Sequence, residues 1–381
     1  MLISRKGFLQ LGAIGAASLA APRLARAADP IKVGALFPLS GGTAVQGQHV
    51  CEAIGIAASM VNDTGGVMGR KVEVIRRDDE STPAVGVSRA NELIGEGVSV
   101  IIEGWNSPVT LAIQTVIARA GVLDITAISK ADQILTGGGN PLAIRLNSSN
   151  AQDGQVIADH LKATGAKRIA FLTQNDAYGN GAQAAIEGML KANGHTYEKV
   201  AEERFPFTQV DFRVALTSIR GSNADAVVAI NANEGSGLPA LLRQARQMRL
   251  KGELVTAVGT VAPSVISVAG DAANGIVGAD IYFPKVEPFA SNPVNQDFVR
   301  RGEEKISYTP DKFMALGAAS LQVWATAANE LKTLDREKLG AHIRNGAFKG
   351  TIFGDVAFKD GQLGSSHHLF TVKDGKIEVR A

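Results

Sequence analysis

Polar side chains follow several short apolar runs, and their types and spacing suit the binding of a small anion. Asn106 and Ser107 follow one such run, Ser129 and Lys130 follow the next, and Tyr178 follows a later one. Hydroxyl groups and the free backbone N–H groups at a helix N-terminus suit a carboxylate. In open parallel sheets, loops of this kind meet at the carboxyl ends of the strands, where ligands bind. The pattern therefore predicts a carboxylate-binding cleft.

The sequence lacks the motifs of common catalytic sites. It contains no His-Glu-x-x-His, no P-loop and no Gly-x-Ser-x-Gly elbow. His367 and His368 are adjacent, so on a strand they point to opposite faces and do not clasp one metal ion. Residues 179–184 fit a Gly-x-Gly-x-x-Ala dinucleotide pattern, but residues 174–178 separate them from the preceding strand. We therefore expect no enzyme activity, no cofactor and no metal.

The composition is that of a folded protein with a sizeable core. The chain has 381 residues, of which 45% are hydrophobic and 20% charged. Its 39 basic and 37 acidic residues nearly balance, which argues against a dedicated nucleic-acid binder. The single cysteine, Cys51, excludes an intrachain disulfide and a cysteine-rich zinc site. Its apolar surroundings predict a small buried side chain on a helix.

Residues 1–27 have the pattern of a secretory signal peptide. Four basic residues and no acid accompany a short apolar run, and the small-x-small signal Ala25-Arg26-Ala27 follows. The apolar run is too short to span about 30 Å of hydrocarbon. Residues 4–10 resemble a twin-arginine export signal in which Lys6 replaces the second arginine, so the general route stays open. We expect cleavage after Ala27 and release into the periplasm without a lipid anchor.

Short apolar strands alternate with helical segments along most of the chain. The alternation runs from a strand at 31–36 to one at 121–126, is interrupted by the polar stretch 145–150, and resumes as far as a strand at 254–258. Such alternation predicts a parallel sheet with helices on both faces. Two successive halves of this type predict an α/β protein whose two lobes close around a small molecule.

The last hundred residues break this alternation. A long helix is predicted at 312–331, inside a segment that runs from 280 to 350. Residues 350–381 form a β-rich tail, in which short apolar strands are separated by Lys-Asp-Gly turns at 359–361 and 373–375.

Several short motifs occur in a fixed order after residue 30. They are Ile31–Pro38, Leu39–Gly41, Val61–Lys71, Arg77–Asp79, Asn175–Gly179, Leu242–Arg246, Val268–Gly275 and Lys373–Lys376. Together they resemble the periplasmic leucine/isoleucine/valine-binding proteins. The resemblance implies a type I periplasmic binding protein, with two α/β lobes joined by three crossovers and an ABC permease of the inner membrane as partner. It implies an N-terminal lobe of 28–148 and 280–350, and a C-terminal lobe of 149–279 and 351–381.

The resemblance also implies roles for individual residues. Ser107 would hold the ligand carboxylate, Ile128 and Ser129 would supply backbone and hydroxyl contacts, and Tyr178 would close over the ligand from the second lobe. Helix capping by Ser107 and simple packing of Tyr178 are the alternatives. Three further residues are expected to line the cleft: Glu103, Trp105 and Asn106.

Three positions depart from the family pattern. Lys130 stands where a threonine is expected, Glu234 stands where an aromatic residue is expected, and Val258 stands near the place of the acid that pairs with a ligand ammonium. A shifted alignment would let Glu234 supply that acid, since an unpaired buried ammonium would cost several kcal/mol. Lys130 either meets a ligand carboxylate or is a solvated loop lysine.

These observations predict the solute-binding receptor of an ABC importer. The default ligand is a branched-chain amino acid, and the alternative is an amine-free organic acid such as an aromatic carboxylate. A periplasmic partner of a sensor would bind its ligand in the same way, whereas an enzyme of this fold would need an acid–base pair. The expected partners are the small molecule and the permease, and no nucleic acid.

Overall fold

A computed structural model describes residues 29–380, and the predicted signal peptide therefore lies outside the described residues. Within this range, strands and helices alternate as the sequence predicts. The first part of the chain contains β1 (Ile31–Phe37), α1 (Ala44–Asp63), β2 (Val72–Asp78), α2 (Pro83–Gly95), β3 (Val100–Glu103), α3 (Ser107–Ala120), β4 (Leu123–Thr126), α4 (Gln133–Thr136) and β5 (Ile144–Arg145).

The second part of the chain repeats the same alternation. It contains α5 (Asn150–Thr164), β6 (Arg168–Gln174), α6 (Ala177–Ala192), β7 (Glu198–Phe205), α7 (Arg213–Gly221), β8 (Ala226–Ile230), α8 (Gly237–Gln247), β9 (Glu253–Thr256), α9 (Pro263–Ala269) and β10 (Val277–Asp280). The last part contains α10 (Pro293–Ile306), α11 (Lys312–Leu331), α12 (Arg336–Arg344), β11 (Ala347–Thr351), β12 (Gly354–Lys359), β13 (Gln362–Leu363), β14 (His368–Lys373) and β15 (Lys376–Val379).

The strands form two sheets, one in each lobe. The first sheet has the order β11-β12-β13-β5-β4-β3-β1-β2, and the second has the order β15-β14-β10-β9-β8-β6-β7. The predicted two-lobed α/β fold is confirmed. Both sheets are mixed, however, because β11, β12, β14 and β15 pair antiparallel with their neighbours. The chain passes between the sheets three times, after β5, after β10 and after β13.

The third crossover corrects the expectation that residues from 351 onward all join the second lobe. Strands β12 and β13 belong to the first sheet, where Gln362 pairs with Arg145 of β5. A tight turn makes this possible, because Asp360 and Gly361 adopt positive φ angles of 51° and 86° and reverse the chain after β12. Only β14 and β15 reach the second sheet.

The core of the first lobe lies between its sheet and the pair of long helices α1 and α11. Gly317 brings the two helices close, since a Cβ there would lie 2.7 Å from the Val50 side chain. Trp324 of α11 is fully buried, and so is Cys51 of α1, as the sequence predicts. Burial raises the pKa of the Cys51 thiol to about 12. No helix of residues 29–380 has the length and apolar character needed to cross a membrane.

Candidate functional site

A cleft between the lobes lies at the carboxyl ends of the parallel strands. It encloses about 370 Å³, counting its opening to solvent. Seven of the eight predicted ligand-binding residues line it, and Ser129 does not. The seven are Trp105, Asn106, Ser107, Ile128, Lys130, Tyr178 and Glu234. The sequence prediction missed Lys312 and Phe313, which enter the cleft from the start of α11.

Ser107 is the first residue of α3, and its side chain does not cap that helix. Its Oγ accepts hydrogen bonds from the backbone N–H groups of Lys130 and Ala131, at 3.3 and 3.2 Å. A hydroxyl group has two acceptor sites and one proton. Because both acceptor sites are used, the proton of Ser107 remains to be donated into the cleft. The serine therefore fixes the loop after β4, rather than capping α3, and offers a donor for an anion.

Asn106 precedes Ser107 and has an unpartnered side chain. It is 7% exposed, and neither its Nδ2 nor its Oδ1 has a hydrogen-bond partner among the described residues. Buried polar atoms in native proteins are hydrogen-bonded in the great majority of cases. Asn106 therefore offers the N–H donors of its Nδ2 and the acceptor Oδ1 to a molecule in the cleft.

Lys130 is buried, so the expectation of a solvated loop lysine is wrong. The residue is 5% exposed, and its Nζ lies 2.5 Å from Asp153 Oδ2 and 3.3 Å from Ser148 Oγ. Nζ also donates to the carbonyl oxygen of Val258 at 2.9 Å. Burial alone would raise the pKa of Asp153, but Lys130 and His367 outweigh it and lower that pKa to about 2. The buried ammonium group of Lys130 therefore lies beside the cleft, and the carboxylate of Asp153 balances its charge.

Ser129 and Glu103 lie behind the cleft wall, which corrects the expectation that they face the ligand. Ser129 Oγ lies 2.8 Å from Thr110 Oγ1, which in turn donates to Glu103 Oε2 at 2.7 Å. Glu103 is fully buried and also accepts from Thr126. Burial, reinforced by the nearby Asp124, raises the pKa of Glu103 well above its usual value. These groups stabilise the ends of β3 and β4 rather than contact the cleft.

Glu234 enters the cleft from the loop after β8. It is 3% exposed, and its Oε2 has no hydrogen-bond partner among the described residues. Burial raises the pKa of Glu234 to about 8, although its own backbone N–H, Lys312 and the Trp105 indole act in the opposite direction. At neutral pH the carboxyl is therefore mostly protonated and offers a hydrogen-bond donor.

Aromatic side chains form the apolar walls of the cleft. The rings of Trp105 and Phe313 lie 4.7 Å apart between centroids, at 42° to each other, in the first lobe. Tyr178 lies in the first turn of α6 in the second lobe and is 6% exposed. Flat apolar groups gain contact area between such rings.

The two lobes touch at the rim of the cleft. A Cβ on Gly235 of the second lobe would lie 1.8 Å from the carbonyl oxygen of Gly42 in the first lobe. Only a residue without a side chain fits there, since no Cβ approaches a backbone oxygen so closely. The structure is therefore that of closed lobes.

A family model that matches nearly the whole chain identifies the family of this protein. The family model described as periplasmic binding protein matches residues 30–376. The chain belongs to the periplasmic binding protein family. The predicted resemblance to leucine/isoleucine/valine-binding proteins is confirmed by a relative from Brucella abortus named Leu/Ile/Val-binding protein homolog 1. It is 27% identical over 334 residues, which cover 87% of this chain and 86% of the relative.

Solved structures of periplasmic binding proteins share the fold. A leucine binding protein from Thermotoga maritima has a TM-score of 0.81 and 27% identity, covering 92% of this chain and 98% of that one. A solute binding protein of an ABC transporter from R. palustris, in complex with benzoate, has a TM-score of 0.83 and 24% identity, covering 92% and 95%.

Proposed function

We propose that this protein is the periplasmic receptor of an ABC importer and binds a small carboxylate between its lobes for delivery to the permease. The observation that carries the proposal is the unpartnered Asn106 amide beside the free hydroxyl proton of Ser107. Both groups face a closed cleft at the first turn of α3. Donors held in place at a helix N-terminus suit an anion better than a neutral or cationic group.

The surroundings of Lys130 favour a carboxylate without an amine. An amino-acid ligand needs acceptors for its ammonium, and Asp153, Ser148 and the Val258 carbonyl already accept from Lys130. Glu234, the remaining acid at this wall, is mostly neutral at pH 7 because burial raises its pKa to about 8. The aromatic walls add apolar contact. The benzoate complex of the R. palustris protein is consistent with this ligand class.

A branched-chain amino acid is the second candidate, and one observation favours it. The unpartnered Oε2 of Glu234 would accept an ammonium, and the carboxyl would then ionise beside that charge. The names of the Brucella abortus and Thermotoga maritima proteins support this candidate.

A binding panel tests both candidates. Mature protein from residue 28 onward is unfolded and refolded to remove bound ligand, and then mixed with leucine, isoleucine, valine, benzoate and 4-hydroxybenzoate. A ligand at 100 times its Kd stabilises the protein by about 2.7 kcal/mol, which appears as a rise in melting temperature. A rise with the benzoates alone supports the amine-free ligand. A rise with the amino acids alone contradicts it, and no rise with any carboxylate contradicts the proposed function.

A further inference from the structure

The cleft continues beyond the site described above. Residues 258–260 and 312–313 line the site, whereas residues 261–263 and 309–313 line a second cavity of about 420 Å³, counting its opening to solvent. The same two segments, one from each lobe, thus form the walls of both cavities. We call the first cavity the inner compartment and the second the outer compartment. They share Lys312 and Phe313 as lining residues and lie next to each other, separated by these side chains.

The Lys312 side chain divides the two compartments. Its Nζ donates to the Gly259 carbonyl at 2.7 Å and lies 4.0 Å from Asp280 Oδ1, so it spans from α11 of the first lobe to the second. A Cβ on Gly259 would lie 2.0 Å from Nζ, so the glycine makes room for it. The ammonium also lies 4.2 Å from the centre of the Phe313 ring. One hydrogen bond and one long ionic contact hold this partition, and a lysine stem has several rotatable bonds with which to leave it.

The outer compartment is apolar. Its acids are turned toward their own backbone, since Asp280 accepts from the N–H of Ile281 at 2.7 Å and Asp311 from the N–H of Met314 at 3.1 Å. The other oxygen of Asp311 accepts from the Tyr308 hydroxyl. Apolar side chains supply most of the remaining lining: Val261, Ala262, Tyr282, Phe283 and Pro310. A polar compartment joined to an apolar one suits a molecule with a charged head and a hydrocarbon tail.

We propose that the outer compartment is a subsite for the hydrocarbon extension of the ligand. The inference rests on the proposed function, because it requires a carboxylate held at Ser107 in the inner compartment. The ligand class is then an arylalkyl carboxylate longer than benzoate, whose tail passes Phe313 once Lys312 leaves the Gly259 carbonyl. Because the two compartments share the wall formed by Lys312 and Phe313, a ligand held in the inner compartment reaches the outer one when Lys312 moves, and the occupant is the tail of that ligand.

A series of acids of increasing length tests this subsite. Benzoate, 3-phenylpropanoate and 5-phenylpentanoate are titrated calorimetrically into refolded protein. Affinity is expected to rise about fourfold for each methylene group that the outer compartment buries. Thr309→Trp and Pro263→Trp fill the compartment from its rim, one from each lobe. Both should weaken 5-phenylpentanoate about tenfold or more and leave benzoate within about twofold.

Matched controls separate this inference from the proposed function. Val214 is 88% exposed on α7, so Val214→Trp adds a tryptophan far from the cleft and should leave every affinity unchanged. The subsite is overturned, and the carboxylate receptor retained, if benzoate binds but the longer acids gain nothing. The same holds if both rim variants bind 5-phenylpentanoate as the wild type does. Failure of all three acids to bind overturns the subsite together with the amine-free ligand class, and the proposed function is overturned as well only if the amino acids of the binding panel also fail to bind.

Discussion

The Lys130 ammonium nitrogen lies 2.5 Å from an oxygen of Asp153, and this pair joins the loop after β4 to the first turn of α5. Both side chains are nearly buried, with exposures of 6% and 9%. His367, in the third crossover, lies 3.0 Å from the other oxygen of Asp153. The wall of the cleft is thus connected to two of the three crossovers, and the charge to which we assign ligand selectivity also ties the lobes together.

Lys130→Met should change the ligand preference of the receptor. It frees the Val258 carbonyl and Asp153 to accept an ammonium, so leucine should bind at least about tenfold more tightly relative to benzoate. Removing one partner of a buried ion pair should also lower the free energy of unfolding by about 3 kcal/mol. Calorimetric titration and thermal melting measure both effects. Lys162→Met, at an exposed lysine of α5, is the control, and an unchanged leucine-to-benzoate ratio in Lys130→Met would refute the role given to Lys130.

The affinity for an amine-free acid should fall as pH rises. Glu234 has a usual pKa of 4.5 when the open cleft exposes it, and burial in the closed cleft raises that pKa to about 8. Closure therefore takes up a proton between these two values, so affinity falls by up to about tenfold per pH unit across this window. Titrations from pH 5 to 8 measure the slope. Glu234→Gln keeps the shape and a donor but does not titrate, so it should flatten the profile, and an equally steep profile in this variant would rule out Glu234 as its source.

Gly235→Ala should hold the lobes apart. The added methyl group would lie 1.8 Å from the Gly42 carbonyl oxygen, and backbone cannot give way as a flexible side chain does. We expect ligand affinity to fall about tenfold or more, while the melting temperature of the ligand-free protein stays nearly constant. Gly188→Ala in α6 is the control, because a Cβ there meets no atom within 4 Å. Small-angle scattering with saturating ligand would show incomplete closure, and full closure at wild-type affinity would contradict the prediction.

Ser107→Ala should weaken both binding and folding. The N–H groups of Lys130 and Ala131 lose their shared acceptor, so the free energy of unfolding should fall by about 1–3 kcal/mol. Loss of the donated proton should weaken carboxylate binding about tenfold. Ser222→Ala, in the loop after α7, removes a hydroxyl bonded only to Ile219 and is the control. A variant that loses stability but keeps full affinity would restrict Ser107 to holding the loop after β4.

The sequence predicts those site residues that directly follow a buried strand. It does not predict the site residues that a distant segment of the chain contributes. Trp105 and Glu234 follow buried parallel strands, so their loops must meet at the carboxyl edge of the sheets. Lys312 and Phe313 come from the first turn of a helix that returns after the second lobe, and periodicity says nothing about which cleft such a turn enters. Ser129 stands in a suitable loop, yet its side chain turns inward, because a loop imposes no alternation of faces as a strand does.

The long helix 312–331 is predicted with its observed bounds, whereas α10 and α12 are missed. The β-rich tail, residues 350–381, is correctly predicted to contain strands, but the prediction assigns residues 351–381 to the second lobe alone. Its division depends on β13, which has two residues and pairs with β5 across more than two hundred positions. Pairing between strands so far apart in the sequence leaves no local pattern from which it could be predicted.

The three crossovers have a consequence for biogenesis. Residues 354–363 join β11 to β5 in the first sheet and residues 368–379 complete the second, so a growing chain completes neither sheet until both segments have been made. The contacts that finish both lobes are among the most distant in sequence, and such contacts slow folding. Synthesis from the N-terminus thus first produces two unfinished sheets, and both lobes are completed only after residues 354–363 and 368–379 have been made.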